Sequence, residues 1–255
     1  MKSQKLDRTI LLVNDDGYFS EGILTLYEYL RKKFTKVVVV APDRNLSGAG
    51  HSLTFTKPLR IREVETDIYT VIEGTPADCV HLGVGVVLNG KKPDLVISGI
   101  NEGPNLGEDI TYSGTVAGAM EGTILNIPSI AVSIFAREDF KFLDASKVTF
   151  DIATKVLKQG LPRGVYLNVN IPNIPYGEIK AYAVTRQGHR IYRETVIKYR
   201  DPYGKPLYWI AATDFNWKPI PWTDYWAILN GFVSITPLDL DLTNEKVKRG
   251  VAFNL

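Results

Sequence analysis

A single cysteine, Cys79, in a chain of 255 residues leaves no partner for an internal disulfide, so the fold must be held by packing rather than covalent staples. Histidine is scarce as well. Of His51, His81 and His189, only His81 lies near the cysteine, and so isolated a pair does not read as a zinc site. No apolar run approaches the roughly 18–20 residues that a membrane-spanning helix requires. The stretch Lys2 to Arg8 is interspersed with charge where a signal peptide would be apolar, and we expect a cytoplasmic protein without a membrane partner. The formal net charge of +2 carries no electrostatic footprint of a duplex nucleic-acid binder, although a small anion stays open as a ligand. Internal repeats and low-complexity tracts are lacking too, which excludes solenoids and linkers.

What is present is an alternation of short β-branched runs and amphipathic segments. Thr9–Val13 and Lys36–Ala41 have the length and composition of buried parallel strands. Between them Ile23, Leu26, Tyr27, Leu30 and Phe34 share one helical face, with Ser20 as N-cap. Further on, helices are expected over Pro76–Leu88, Gly114–Leu125 and Phe140–Lys158, and strands over Asp94–Gly99, Ser129–Phe135 and Tyr166–Ile171. Strands alternating with helices imply an α/β fold with a Rossmann-like, doubly wound, mostly parallel sheet over residues 1–172. Residues 173–255 read instead as a β-rich extension. There Arg193–Arg200 and Pro206–Ala212 flank the turn Asp201-Pro202-Tyr203-Gly204 as a long hairpin. An exposed hairpin edge, with aromatic residues Tyr208, Trp209, Trp217, Trp222, Tyr225 and Trp226 nearby, gives a physical reason to expect oligomerisation.

In an open parallel sheet the ligand lies beyond the carboxyl ends of the strands, and the chemistry-bearing residues fall there. Asn14-Asp15-Asp16-Gly17 follows the first strand, Pro42 to Ser52 the second, and Ser98 to Asn105 closes a later one. Adjacent carboxylates repel unless a cation compensates them, so Asp15 and Asp16, with Ser47 and Asn101 as neutral oxygen donors, suit a hard divalent metal such as Mg²⁺ or Mn²⁺. Taken alone, the tetrapeptide reads equally well as a turn before a helix. Ser113-Gly114-Thr115 opens a helix with free backbone N–H groups on the same rim, a phosphate-binding arrangement, or else an ordinary N-cap by Ser113. His51 reads as a general acid or a polar loop residue, His81 and Cys79 as structural, and His189 as part of a solvated basic turn.

Taken in order, these loops resemble the SurE family of stationary-phase survival proteins, metal-dependent 5′/3′-nucleotidases. The match runs through Asn14–Gly17, Ala41–Ser52, Gly74–Val80, Ser98–Gly107 and Tyr112–Glu121, and more weakly through Val184–Gly188 and Val233–Pro237. The resemblance implies a Rossmann-like domain whose C-terminal part pairs between subunits in a homodimer or homotetramer. It implies a divalent metal (Mg, Mn or Co), one per subunit, on Asp15, Asp16, Ser47 and Asn101. The phosphate-side residues it implies are Asn105, Ser113, Gly114 and Thr115, with Asp15, Asp16 and Asn105 catalytic and a nucleoside monophosphate as substrate. Leu46 departs from the basic residue that many members carry before the serine.

Three competing readings bear on the same residues. A nicotinamide or flavin oxidoreductase would need a glycine-rich turn where this chain has Asp15-Asp16. A phosphatase that attacks through an aspartate needs two aspartates separated by one residue, and these are adjacent. A non-catalytic metal- and nucleotide-binding module would use the same ligands, and the sequence leaves it open.

Overall fold

The computed structural model describes residues 4–191, 196–210 and 216–244. Among the described residues eleven strands and five α-helices follow one another: β1 Leu6–Val13, α1 Glu21–Leu30, β2 Phe34–Pro42, β3 Arg60–Glu65, β4 Ile68–Ile72, α2 Pro76–Leu82, β5 Leu95–Glu102, α3 Gly114–Ile124, β6 Ser129–Phe135, α4 Phe142–Gln159, β7 Val165–Pro172, β8 Tyr182–Val184, β9 Val196–Arg200, β10 Pro206–Ile210, α5 Asp224–Leu229 and β11 Val233–Asp239. The main sheet has the order β3-β4-β2-β1-β5-β6-β7-β11-β8. It is parallel from β4 to β7, with β3 antiparallel on β4 and β11 antiparallel on β7.

The apolar runs of β1, β2 and β5 are buried on both sides because helices cover both faces. Ile10, Leu12 and Ile97 join α1 and α4 in one core, while Leu11, Val13 and Val96 join Cys79 and Val80 of α2 in another. α3 covers the second face further along, where Val116 and Ala119 pack on Ala131 and Tyr166. From β1 the chain winds outward to β2 and β4, then returns to the other side of β1 as β5, β6 and β7. The strand order therefore reverses between β1 and β5, and a crevice opens at their carboxyl ends.

Several sequence expectations are corrected in detail. Phe34 is not on the first helix: α1 ends at Leu30, and Phe34 opens β2, reaching the same core from the next element. Ser20 sits at the N-cap of α1, but its hydroxyl accepts from Asn14 Nδ2 at 2.8 Å instead of capping the helix. The helix from Pro76 stops being α-helical at Leu82 and continues as a π-helical turn over Gly83–Val87. Gly83 lies against Leu11 there, where an added Cβ would stand 2.9 Å from the leucine methyls.

The segment after Pro172 is not free of helix, because the short α5 begins at Asp224 under a Thr223 cap. β8 and β11 extend the main sheet, and β9 and β10 form a separate two-stranded ribbon. The outer hairpin residues 193–195 and 211–212 lie outside the described residues. Among the described residues no helix is long and apolar enough to cross a membrane.

Candidate active site

β1 ends in a turn that Asn14 shapes: its buried amide donates to Gly17 O at 2.9 Å and to Ser20 Oγ. This turn places Asp15 and Asp16, both almost fully buried, in the crevice between β1 and β5. Asp15 faces the start of α3. Its carboxylate accepts from the Thr115 hydroxyl, and the nearby Gly114 and Thr115 N–H groups favour its charged form, so the positive end of that helix lies beside it. Burial nevertheless raises the Asp15 pKa, with these groups opposing the rise.

Asp16 is pushed up from its ordinary 3.8 to about 7, first by burial and then by the charge of Asp15, with Glu102 adding to it. The groups opposing that shift are neutral: the Glu102 N–H and the Asn45 amide, each at 3.3 Å. Two buried carboxylates without a compensating cation make a site that a divalent ion fits. Among the described residues no three His, Cys, Asp or Glu side chains converge as a metal site, so such an ion would take neutral oxygen donors as well.

Asn101 belongs to this crevice through a bulge. The β5–β6 register shifts between Ser98 and Asn101, and Gly99 makes the shift with a positive φ, where a Cβ would stand 2.2 Å from Val132 O. The extra residue returns Asn101 to the face of Ser98, the α3 side. There its Oδ1 lies 3.2 Å from the Thr115 hydroxyl, which also serves Asp15, and its Nδ2 donates to Gly103 O at 2.7 Å.

Ser47 is exposed on the loop after β2, and its N–H and hydroxyl both donate to Asn45 Oδ1 at 2.8 and 2.7 Å. Asn45, not itself among the candidate ligands, thus links Ser47 to Asp16. The same loop docks on the first strand end through Leu46 N–H to Asp15 O at 2.7 Å.

Ser113 caps α3 by accepting from Val116 N–H at 3.0 Å. Asn105 is buried as well, its amide donating to Ser133 Oγ at 2.7 Å. The loop carrying it is braced by the C-terminal extension: Asp224 accepts from the Gly107 and Gly188 N–H groups at 2.8 and 3.0 Å, and Trp217 Nε1 donates to Leu106 O at 3.1 Å.

The histidines are engaged elsewhere. His51 and His81 meet the two oxygens of buried Glu121 at 2.6 and 2.8 Å, and His189 Nδ1 pairs with Glu108 at 2.9 Å. Burial raises the Glu121 pKa, but the two histidines outweigh it and leave the carboxyl below its ordinary value. Cys79 is buried, which pushes its thiol up. The sequence thus brings Asp15, Asp16, Asn101, Ser113, Gly114 and Thr115 around one crevice, with Ser47 tied to it through Asn45.

The family described as Survival protein SurE matches residues 10–194. A protein named 5′-nucleotidase SurE from Aquifex aeolicus (strain VF5) is 67% identical over 96% of this chain and 97% of its own length. A 5′-nucleotidase SurE from Pseudoalteromonas atlantica is 47% identical over 92% of this chain and 93% of its own. A crystal structure of a SurE protein from Aquifex aeolicus superposes with a TM-score of 0.86 at 67% identity, covering 95% of this chain and 98% of that one. A matching family that spans most of the chain, and relatives this similar along nearly all of it, mean that the chain belongs to the SurE family.

Proposed function

We propose that this chain hydrolyses nucleoside 5′-monophosphates, and 3′-monophosphates as well, to nucleoside and inorganic phosphate. The observation that carries the reading is the buried Asp15–Asp16 pair at the point where the strand order reverses, where the Thr115 hydroxyl, the Glu102 N–H and the Asn45 amide oppose its charge. The names of the relatives, 5′-nucleotidase SurE, supply the substrate class.

Asp15, Asp16, Ser47 and Asn101 would hold one divalent cation per subunit, Mg²⁺, Mn²⁺ or Co²⁺. Bound there, it supplies positive charge to the phosphoryl oxygens and lowers the pKa of a water. Asp15 keeps its orientation through Thr115, whose single hydroxyl proton is shared between Asp15 and Asn101. Asn105 retains a second Nδ2 hydrogen for a phosphoryl oxygen after its bond to Ser133. The start of α3 at Ser113, Gly114 and Thr115 biases the crevice toward an anion, because that end of the helix carries positive potential. No aspartate is required to attack phosphorus.

The exposed ribbon bearing Tyr199, Tyr208, Trp209 and Ile210 supports a homodimer or homotetramer built through residues 173–255 beside a catalytic unit of 1–172. The lone, buried Cys79 is compatible with a cytoplasmic location. Release of phosphate from AMP, GMP or IMP with Mg²⁺, Mn²⁺ or Co²⁺, abolished by EDTA and by Asp16→Asn, is the expected result. Failure under every metal, with nucleotide still bound, would leave a binding module in its place.

A further inference from the structure

β7 runs Val-Tyr-Leu-Asn-Val-Asn-Ile-Pro, lies between β6 and β11, and is buried from Asn168 onward. Val169 and Ile171 point into the apolar core with α1 and α4. The alternate positions, where a strand under a helix would carry valine or isoleucine, hold Asn168 and Asn170, both fully buried. Asparagine is a poor strand former, and burying a carboxamide is costly unless it is hydrogen-bonded. Two in a row on one face call for a reason.

The reason is visible at Asn105. Asn170 Oδ1 accepts from the Asn105 N–H at 2.9 Å, and Asn170 Nδ2 donates back to the Asn105 carbonyl at 2.9 Å. A side-chain carboxamide thus pairs with both polar groups of one residue as a neighbouring strand would. Asn168 Nδ2 donates to the same carbonyl at 2.9 Å.

The side chain of Asn105 is fixed from the next strand, where Ser133, in register with Asn170, accepts from its Nδ2 at 2.7 Å. Ser133 is in register with Asn101 in turn, so a polar row runs from the crevice to Asn170. The Oδ1 of Asn105 is left without a protein partner among the described residues, and one Nδ2 hydrogen stays available.

We infer that Asn170, assisted by Asn168, is a positioning residue for the nucleotidase reaction, holding Asn105 at the depth and orientation at which its carboxamide meets the substrate phosphate. The inference rests on the catalytic role given to Asn105 above. It assigns Asn170 no contact with substrate or metal.

Asn170→Ala, Asn105→Ala and the double variant are compared for Mn²⁺-dependent phosphate release from AMP, with Mn²⁺ titration and thermal unfolding on each. Displacement of a reacting group by an ångström costs on the order of 100-fold, so kcat of Asn170→Ala should fall ~10–100-fold with Mn²⁺ affinity nearly unchanged. The double variant should be no slower than Asn105→Ala, since a residue that acts through another adds nothing once that other is gone. Asn168→Ala, which removes one of two donors to the Asn105 carbonyl, should show a smaller drop with the same non-additivity, and decides the matter if Asn170→Ala does not fold.

Multiplicative losses in the double variant, or wild-type kcat in Asn170→Ala or, should that variant not fold, in Asn168→Ala, would overturn the inference and leave the functional reading standing. Wild-type kcat in Asn105→Ala would overturn the role of Asn105 itself, and this inference with it.

Discussion

Gly114 stands where the first residue of α3 meets Asp15, and its replacement by alanine tests whether the helix start and the carboxylate form one unit. A Cβ at this position would lie 2.7 Å from Asp15 Cβ and 2.8 Å from Asp15 Oδ2. Carbon atoms rest at ~3.5–4.0 Å, so the Asp15 side chain or the helix start must move by about 0.8 Å. Asp15 has little room to yield, because it is buried and held by the Thr115 hydroxyl. Metal sites tolerate about ±0.2 Å in ligand distance, and a misplacement near 1 Å costs about 100-fold in rate.

Stability should move less, because alanine favours a helix over glycine by up to about 1 kcal/mol, which partly offsets the local strain. Gly114→Ala should therefore lose ~10–100-fold in phosphate release and show a raised Mn²⁺ requirement, while its unfolding midpoint stays within a few degrees of the parent. Wild-type kcat at wild-type Mn²⁺ concentration would refute the reasoning.

Three further outcomes follow from the charges. Asp16 carries a raised pKa, so its contribution to the stability of the metal-free protein is fullest below pH 3.8 and is lost as pH rises through about 7. In EDTA the unfolding midpoint should fall between pH 5 and pH 8.5, and Asp16→Asn should flatten that fall; an identical slope in the variant would contradict the charge repulsion. Adding Mn²⁺ to the parent at pH 8 should raise its midpoint by more than it raises that of Asp16→Asn, because binding to the native state alone stabilises it. Glu121 has the opposite sign. Its lowered pKa means that the stabilisation from His51 and His81 is present above its ordinary 4.5 and is lost as pH falls through the lowered value. Glu121→Gln should cost about 1–2 kcal/mol at pH 7, discounted for the partly exposed imidazoles, and denaturant titration at pH 7 and pH 4 should show that loss shrinking in acid.

The legible part of the fold was the part in which both faces of a strand are buried. β1, β2, β5, β6 and β7 show as β-branched runs, and α1, α3 and α4 as stretches between them. Phe34 misled because its spacing continued a helical stripe, although the residue reaches the same core from β2. β3 was missed because Arg60–Glu65 alternates charges on a largely exposed edge and has no apolar period. β4, Ile68–Ile72, is by contrast a β-branched and aromatic run of strand composition. α5 has only six residues, too short for a helical period amid tryptophan and tyrosine. β11 runs through Pro237, which has no N–H for a ladder, and this is tolerated because β8 pairs only with Val233–Ile235, so the residues beyond have no partner strand on that side.

For the site, residue types at strand ends point to Asp15, Asp16 and Asn101, and the opening of a helix points to Thr115; the structure brings Thr115 onto both Asp15 and Asn101. Residue types could not reveal how Asn101 comes to face Thr115, since that depends on the bulge at Gly99. Asn45 and Asn170 act through contacts distant in sequence, although two asparagines alternating with valine in a buried strand were themselves a signal. That the start of α3 also lies beside Asp15, with the Thr115 hydroxyl donating to its carboxylate, depends on the packing of the helix and is not readable from Ser113-Gly114-Thr115.

The central claim is that Asp15 and Asp16 together hold the one divalent ion on which phosphate release depends. Titration of the metal-free protein with Mn²⁺, followed by the loss of the free-ion paramagnetic signal and by AMP hydrolysis on the same samples, addresses it most directly. The account predicts one tightly bound Mn²⁺ per chain, with activity rising in step, and loss of both in Asp15→Asn and in Asp16→Asn. Stoichiometric Mn²⁺ binding that survives both substitutions, or hydrolysis at full rate without it, would contradict the account.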